Sequence, residues 1–177
     1  EGETGYYVEI DATAFVDDAG NPYAGIADNS TWNFETEDID PPTVSIYDPA
    51  DEEAGVGIND DLVLTFSEPV NAASGDIRIK HSSDNTVFET IAAGSAGGSG
   101  TNVITINPTL TFEGETAYYV EIDATAFEDA AGNPYAGIDD NTTWNFVTED
   151  IAPPVVSTLS PTDGATGVGI NANLVIT

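Results

Sequence analysis

The sequence predicts an all-β protein, a two-sheet sandwich repeated in tandem. Three observations predict it. Apolar and polar residues alternate in short runs, as in GDIRIKH at 75–81, where Ile77 and Ile79 point one way and Asp76, Arg78 and Lys80 the other. Those runs are rich in β-branched and aromatic residues, Gly, Pro, Asn and Asp separate them, and no stretch carries a helical stripe. The chain also repeats itself: residues 1–65 align with 113–177 without a gap, 47 of 65 positions being identical.

An offset of 112 residues is the size of one domain, so the period marks an array of domains. The expected division is the C-terminal part of one repeat (strands F and G) at 1–40, a complete repeat at 41–150, and the N-terminal part of the next (strands A and B) at 151–177. The chain is then expected to be a window on a longer array. Neither terminal part can close a sandwich alone. The first would expose Tyr6, Val8, Ile10, Trp32 and Phe34, so the missing strands are expected from the same continuous chain or, alternatively, from a neighbouring molecule by strand addition.

In the complete repeat, TVSIY at 43–47 is a short strand bounded by Pro42 and the turn at 48–51. DLVLTFS at 61–67 places Leu62, Leu64 and Phe66 on one face. The strand at 75–81 pairs as a hairpin with 86–92 across 82–85, and a flexible Gly/Ser loop is expected at 94–100. TNVITIN at 101–107, AYYVEID at 117–123 and TTWNFVT at 142–148 complete seven strands, with Trp144 and Phe146 as core residues of the last. Leu110, Gly114 and Tyr118 have the spacing of the tyrosine corner, in which a phenol at the start of strand F bonds to upstream backbone in immunoglobulin-like and fibronectin-like sandwiches.

The order PPTVSIYDPADEEAGVGIN, LTFSEPV, LTFEGETAYYVEID, AFEDAAGNP and TTWNFVT resembles the bacterial Ig-like repeats of large surface and S-layer proteins. Its most specific pieces are Phe66 to Pro69, the turn from Asp129 to Asn133, and Trp144 to Phe146. The resemblance implies a seven-stranded sandwich in a long cell-surface or secreted protein, used as stalk, spacer or adhesion module, with no catalytic residues to carry over. The chain departs from that pattern in its acidity and in a long insertion between Ser82 and Gly100.

Composition limits the partners. Against 32 Asp and Glu stand only Arg78 and Lys80, for a net charge of −30, which repels nucleic acid and anionic membranes alike. No cysteine occurs, so disulfides and thiolate metal sites play no part. No apolar run is long enough to span a membrane. A nucleophile motif, a P-loop, HExxH and an EF-hand loop are all lacking, and among 32 carboxylates a glycosidase pair cannot be told from chance, so no enzyme is expected. His81 is expected as a solvated histidine at a sheet edge. The sequons at 29–31 and 141–143 are expected to serve the turn into strand G.

The carboxylates have one suggestive arrangement. In a sandwich of this strand order the linker enters beside the B–C and F–G loops. That end gathers linker acids Asp38 and Asp40 (with Glu37), Glu68 from the B–C loop, and Asp129, Asn133, Asp139 and Asp140 from the F–G loop. Oxygen ligands from separate loops suit Ca²⁺, which would rigidify the junction between repeats. A solvated acidic rim, with Asn133 merely accommodating a tight turn, is the other reading. Asp40 becomes Ala152 in the following linker, so it is not required at every junction. The function expected is a structural extender in an extracellular bacterial adhesin or fibre, its partners being neighbouring repeats. The rival is a module binding glycan or a cell surface through exposed aromatics such as Tyr119 or through the 82–100 insertion.

Overall fold

The computed structural model describes residues 2–177. Strand β1 (Gly5–Tyr7) pairs antiparallel with β2 (Asn33–Glu35) as a separate two-stranded ribbon. The linker then leads into the strands of the complete repeat: β3 (Val44–Asp48), β4 (Glu53–Val56), β5 (Leu62–Ala72), β6 (Asp76–His81), β7 (Val87–Ala92), β8 (Thr101–Ile106), β9 (Ala117–Ile122), β10 (Phe127–Glu128) and β11 (Asn145–Thr148). A second ribbon, β12 (Leu159–Ser160) with β13 (Val175–Ile176), ends the chain. Apart from one 3-10 turn at Ala93–Ser95, the described residues hold no helix.

The complete repeat is a two-sheet sandwich. One sheet centres on β5, which pairs with β3, β8 and β10; the other runs β4-β11-β9-β6-β7. Nine strand segments therefore stand where the alternation predicts seven. The first predicted strand is followed by a crossing: after Pro49 the chain changes sheets, and β4 runs parallel to β11. Glu52 and Gly55 have φ of 62° and 78°, left-handed values that break the period-two pattern and hide β4 from a reading by alternation. The tenth strand is a two-residue pairing of Phe127 and Glu128 with the end of β5.

Burial follows the alternation. Leu62 and Leu64 on β5, Ile77 and Ile79 on β6, and Trp144 and Phe146 are fully buried between the sheets, and Phe66 nearly so. Side chains on two inward faces satisfy the period-two rule of a sandwich with one core. The Trp144 indole N–H donates to the Pro49 carbonyl at 2.8 Å, tying the sheet-crossing turn to the core. The tyrosine corner is present: the Glu113 N–H donates to the Tyr118 hydroxyl at 3.0 Å, and burial pushes that phenol's pKa up. Leu110, however, is half exposed, and Phe112 fills the core position beside Tyr118.

Four further expectations are corrected. Tyr119 is buried, not exposed, because the Lys80 ammonium lies 5.3 Å from its ring centroid and its hydroxyl donates to Asn85 Oδ1 at 3.1 Å. His81 ends an interior strand, flanked by β9 and β7, and its ring sits 5.0 Å from that of Tyr118 and 5.7 Å from that of Phe88. The 94–100 loop is fastened to the sheet: Gly97 exchanges two hydrogen bonds with Thr105, and Gly100 donates to Val70. Glu68 lies not in a B–C loop but within β5.

Candidate metal centre

The site is built from a linker, a strand and a loop. The linker is positioned by the ribbon before it: Glu3 N–H donates to the Glu37 carbonyl, and Gly2 lies against Ile39, where a Cβ would crowd both the Glu37 carbonyl and the Ile39 side chain. The same contact recurs one period on, with Gly114 against Ile151 and Glu115 donating to Glu149. Asp38 is thereby set at the start of the complete repeat, its carboxylate accepting from the Asp40 N–H at 3.0 Å.

Glu68 is carried by β5 where the pairing with β8 shifts register, between Thr65 and Val70. A shift of this kind re-aims side chains relative to the regular pleat. Asp129 opens a tight loop that closes on Asn133. The Asn133 N–H donates to Asp129 Oδ1 and its Nδ2 to Asp129 Oδ2, both at 2.8 Å, while Nδ2 also reaches the Asp38 carbonyl at 3.2 Å. Asn133 thus joins loop to linker and holds the Asp129 carboxylate in place.

The result is that Asp38, Glu68 and Asp129 each present a carboxylate oxygen within 4.8 Å of the others. Asp129 is 2% exposed. Burial opposes its charge, but the hydrogen bonds from Asn133 and the loop backbone outweigh burial and hold its carboxyl below the ordinary value. At Glu68 burial, followed by the charges of Asp129, Asp38, Glu3 and Asp40, pushes the carboxyl up. Among the described residues no protein cation answers this charge. Arg78 forks onto Asp123 at 2.6 and 3.2 Å and also meets Asp76, and Lys80 is engaged by Glu121 at 2.8 Å. Two unit charges about 4 Å apart repel by roughly 1 kcal/mol in bulk water and about 4 kcal/mol near a protein surface. Three such carboxylates therefore work against the junction unless a cation sits among them.

The other predicted ligands fall outside this group. Asp40 is exposed on the linker and acts through its charge. Asp139 is exposed and not part of the cluster. The Asp140 carboxylate accepts from the backbone and hydroxyls of Thr142 and Thr143, which lowers its pKa to about 2. That turn, leading into β11, is what the 141–143 sequon forms, and Asp28 makes the same turn with Ser30 and Thr31. The sequence reading missed Glu3. Its signal was available, since the turn before strand F belongs to the end of one repeat that meets the start of the next.

The donor set is all oxygen, with no His or Cys among the three, and so suits a hard divalent cation. Calcium takes six to eight oxygens, which three carboxylates together with backbone carbonyl and water can supply. The period supplies a control within the molecule. Asp17 and Asn21 repeat the Asp129–Asn133 loop, with hydrogen bonds of 2.8 and 2.9 Å, yet Asp17 is exposed, because no strand like β5 stands over it.

A closed all-β sandwich with a tyrosine corner and a short linker packed at its entry defines a module of the immunoglobulin-like class. The family model of the bacterial Ig-like domain matches residues 38–148, and the chain belongs to that family. Among solved structures the chain is similar to CopC from Methylosinus trichosporium OB3b, at 12% identity and a TM-score of 0.44, over 64% of this chain and 99% of that one. No curated protein matches it.

Proposed function

We propose that the chain is a structural extender of a bacterial extracellular protein, and that Ca²⁺ held by Asp38, Glu68 and Asp129 stiffens the junction between consecutive repeats. The observation that carries this reading is the convergence of one carboxylate from the linker with two from the following repeat, without a side-chain cation of the described residues among them. A linker that swings freely keeps Asp38 away from the other two. A cation that binds all three favours one relative placement of the repeats. Asn133 contributes by orienting Asp129 and the linker carbonyl rather than by lending its own side chain to the cation. Spacing and stiffness are what a near-identical tandem repeat supplies, and a location outside the cell, where calcium is abundant, belongs to the same reading. The rival reading as a glycan- or cell-binding module has lost Tyr119, which is buried, and keeps the 82–100 insertion, most of which is exposed.

A ligand that binds the folded junction and not the unfolded chain raises the melting temperature with its concentration. At constant ionic strength the full chain is expected to melt higher in millimolar calcium than in chelator, and its small-angle scattering to report a narrower distribution of lengths. The double variant Glu68→Ala, Asp129→Ala is expected to lose most of that increment. Identical melting and scattering with and without calcium would rule the reading out.

A further inference from the structure

Both linkers have the form Asp-Ile-x-Pro-Pro, DIDPP at 38–42 and DIAPP at 150–154, and only the middle position differs. Their first half is fastened to the repeat that the chain is leaving. At the exit of the complete repeat, a Cβ on Gly114 would stand 2.5 Å from Ile151 Cγ1 and 3.2 Å from the Glu149 carbonyl, so the glycine makes the seat into which Ile151 packs. The Glu149 N–H donates to the Val56 carbonyl at 2.9 Å, and the Glu115 N–H donates to the Glu149 carbonyl at 3.0 Å. One period earlier Gly2 meets Ile39 and the Glu37 carbonyl in the same way, and the Glu3 N–H donates to Glu37.

The far end of the linker belongs to the repeat that the chain is entering. Pro42 is buried there. The Thr43 N–H donates to Ser67 Oγ at 3.1 Å, and the Ser67 N–H returns a bond to the Thr43 carbonyl at 2.8 Å. Between Ile39 and Pro42 stand only Asp40 and Pro41. Asp40 is exposed, and its N–H donates within the linker, to Asp38 Oδ1 at 3.0 Å; the Ala152 N–H makes the same turn with Asp150 Oδ1 at 2.7 Å. That turn encloses Ile39 and holds it. Pro41 and Pro42 each fix their own φ, and a residue that precedes proline is kept extended, so ψ of Asp40 and ψ of Pro41 are narrowly set. The bond left to turn is φ of Asp40.

We infer that the junction is a single-residue elbow. The chain through Ile39 moves with the unit before it, the chain from Pro42 moves with the complete repeat, and residue 40 is the hinge. By the period, Ala152 is the hinge of the second linker. This accounts for the pattern of the two linkers: the position that changes from Asp to Ala is the one whose side chain neither body holds. A hinge of one bond swings about one axis and does not sweep a cone, so bending at the junction has a preferred plane. Asp38 stands on the near side of the hinge, and Glu68 and Asp129 stand on the far side. Asn133 Nδ2 reaches across it to the Asp38 carbonyl at 3.2 Å. On the calcium reading above, the cation closes this elbow; the elbow itself does not rest on that reading.

Nitrogen-15 relaxation and residual dipolar couplings of the full chain in chelator test the elbow, and in chelator the result is independent of whether calcium binds. The amides of Glu149, Asp150 and Ile151 are expected to fit the alignment of residues 43–148, with order parameters of about 0.85, as in rigid backbone. Values below about 0.6 from Glu149 onward would overturn the inference, because the whole linker would then be mobile. Ile151→Gly empties the seat at a residue that is 55% exposed, and is expected to lower the order parameters at 150 and 151. Gly114→Val blocks the seat from the other side and is expected to do the same, with an unchanged amide spectrum over 62–106 showing the sandwich intact. Linker amides as rigid in both variants as in the parent would refute the latch. At the hinge, Asp40→Gly widens the range of φ and is expected to broaden the distribution of lengths in small-angle scattering, whereas Asp40→Ala is expected to leave it as in the parent. Broadening by both variants, or by neither, would overturn the placing of the hinge at residue 40.

Discussion

Glu68 is the residue on which the junction turns. Its carboxyl is pushed up by burial and then by Asp129, Asp38, Glu3 and Asp40, so the folded chain holds a proton there more tightly than the unfolded chain does. The ionised group therefore destabilises the fold above its raised folded pKa, and that penalty disappears as the pH falls through it. Asp140 and Asp129 behave in the opposite sense. The first is lowered to about 2 by Thr142 and Thr143; the second is lowered by Asn133 against the effect of its burial. Both add stability above the ordinary carboxylate value, and that stability is lost as the pH falls through their lowered values. In chelator, Glu68→Gln is expected to melt above the parent at about pH 7, the gap narrowing as the parent's Glu68 takes up its proton. The same variant is expected to lose most of its calcium increment. Melting curves across pH, with and without calcium, check both halves; a glutamine variant less stable than the parent in chelator at neutral pH contradicts the repulsion argument.

Among the elements, β5 connects the most. It pairs with β3, β8 and β10, carries Glu68 at its register shift, and buries Phe66 against the rings of Phe127 at 5.5 Å and Tyr135 at 5.2 Å. Phe127 and Tyr135 bracket the Asp129–Asn133 loop, so one phenylalanine both fills the core and supports the loop that presents Asp129. Phe66→Ala is expected to cost about 3–5 kcal/mol, the usual range for a buried phenylalanine, read from the midpoint of urea unfolding. It is also expected to weaken calcium binding, since the loop loses its support. A calcium titration on the folded variant tests this second effect, and an unchanged midpoint of that titration refutes it. The β6–β9 pair shows the contrasting use of charge: Arg78 spans to Asp123, whose other oxygen also accepts from the Asp76 N–H, so the chain's two cations are spent on pairing strands.

At the scale of the molecule, −30 with two cations means that long-range repulsion opposes compaction throughout. Monovalent salt screens it, with a Debye length near 10 Å at about 0.1 M. The melting temperature of the chain in chelator is expected to climb as sodium chloride is raised from about 0.01 M to about 1 M. The Glu68→Ala, Asp129→Ala double variant is expected to respond to sodium with a similar slope while losing its response to calcium at fixed ionic strength. A parent that responds to calcium no more than to an equal ionic strength of sodium would assign the whole effect to screening. No helix among the described residues is long and apolar enough to cross a membrane.

What could be read from the residues alone was what local pattern encodes. Leu62, Leu64 and Phe66, or Ile77 and Ile79, declare a strand and its buried face through period two, and the 112-residue offset declares a domain size. The tyrosine corner and the family were legible for the same reason, as short-range spacings. The meeting of Asp38, Glu68 and Asp129 was legible in outline, because strand order fixes which loops share an end. It took the packed structure to separate these three from Asp40, Asp139 and Asp140, since identical carboxylates differ only in what surrounds them: Asp140 is occupied by its own turn, and Asp129 is covered by β5 and the linker. Tyr119 makes the same point, because its alternation places it on an outer face, and only Lys80 and Asn85 arriving from the neighbouring hairpin close it off from water. Exposure is a property of pairs of distant segments, and no run of neighbouring residues contains it.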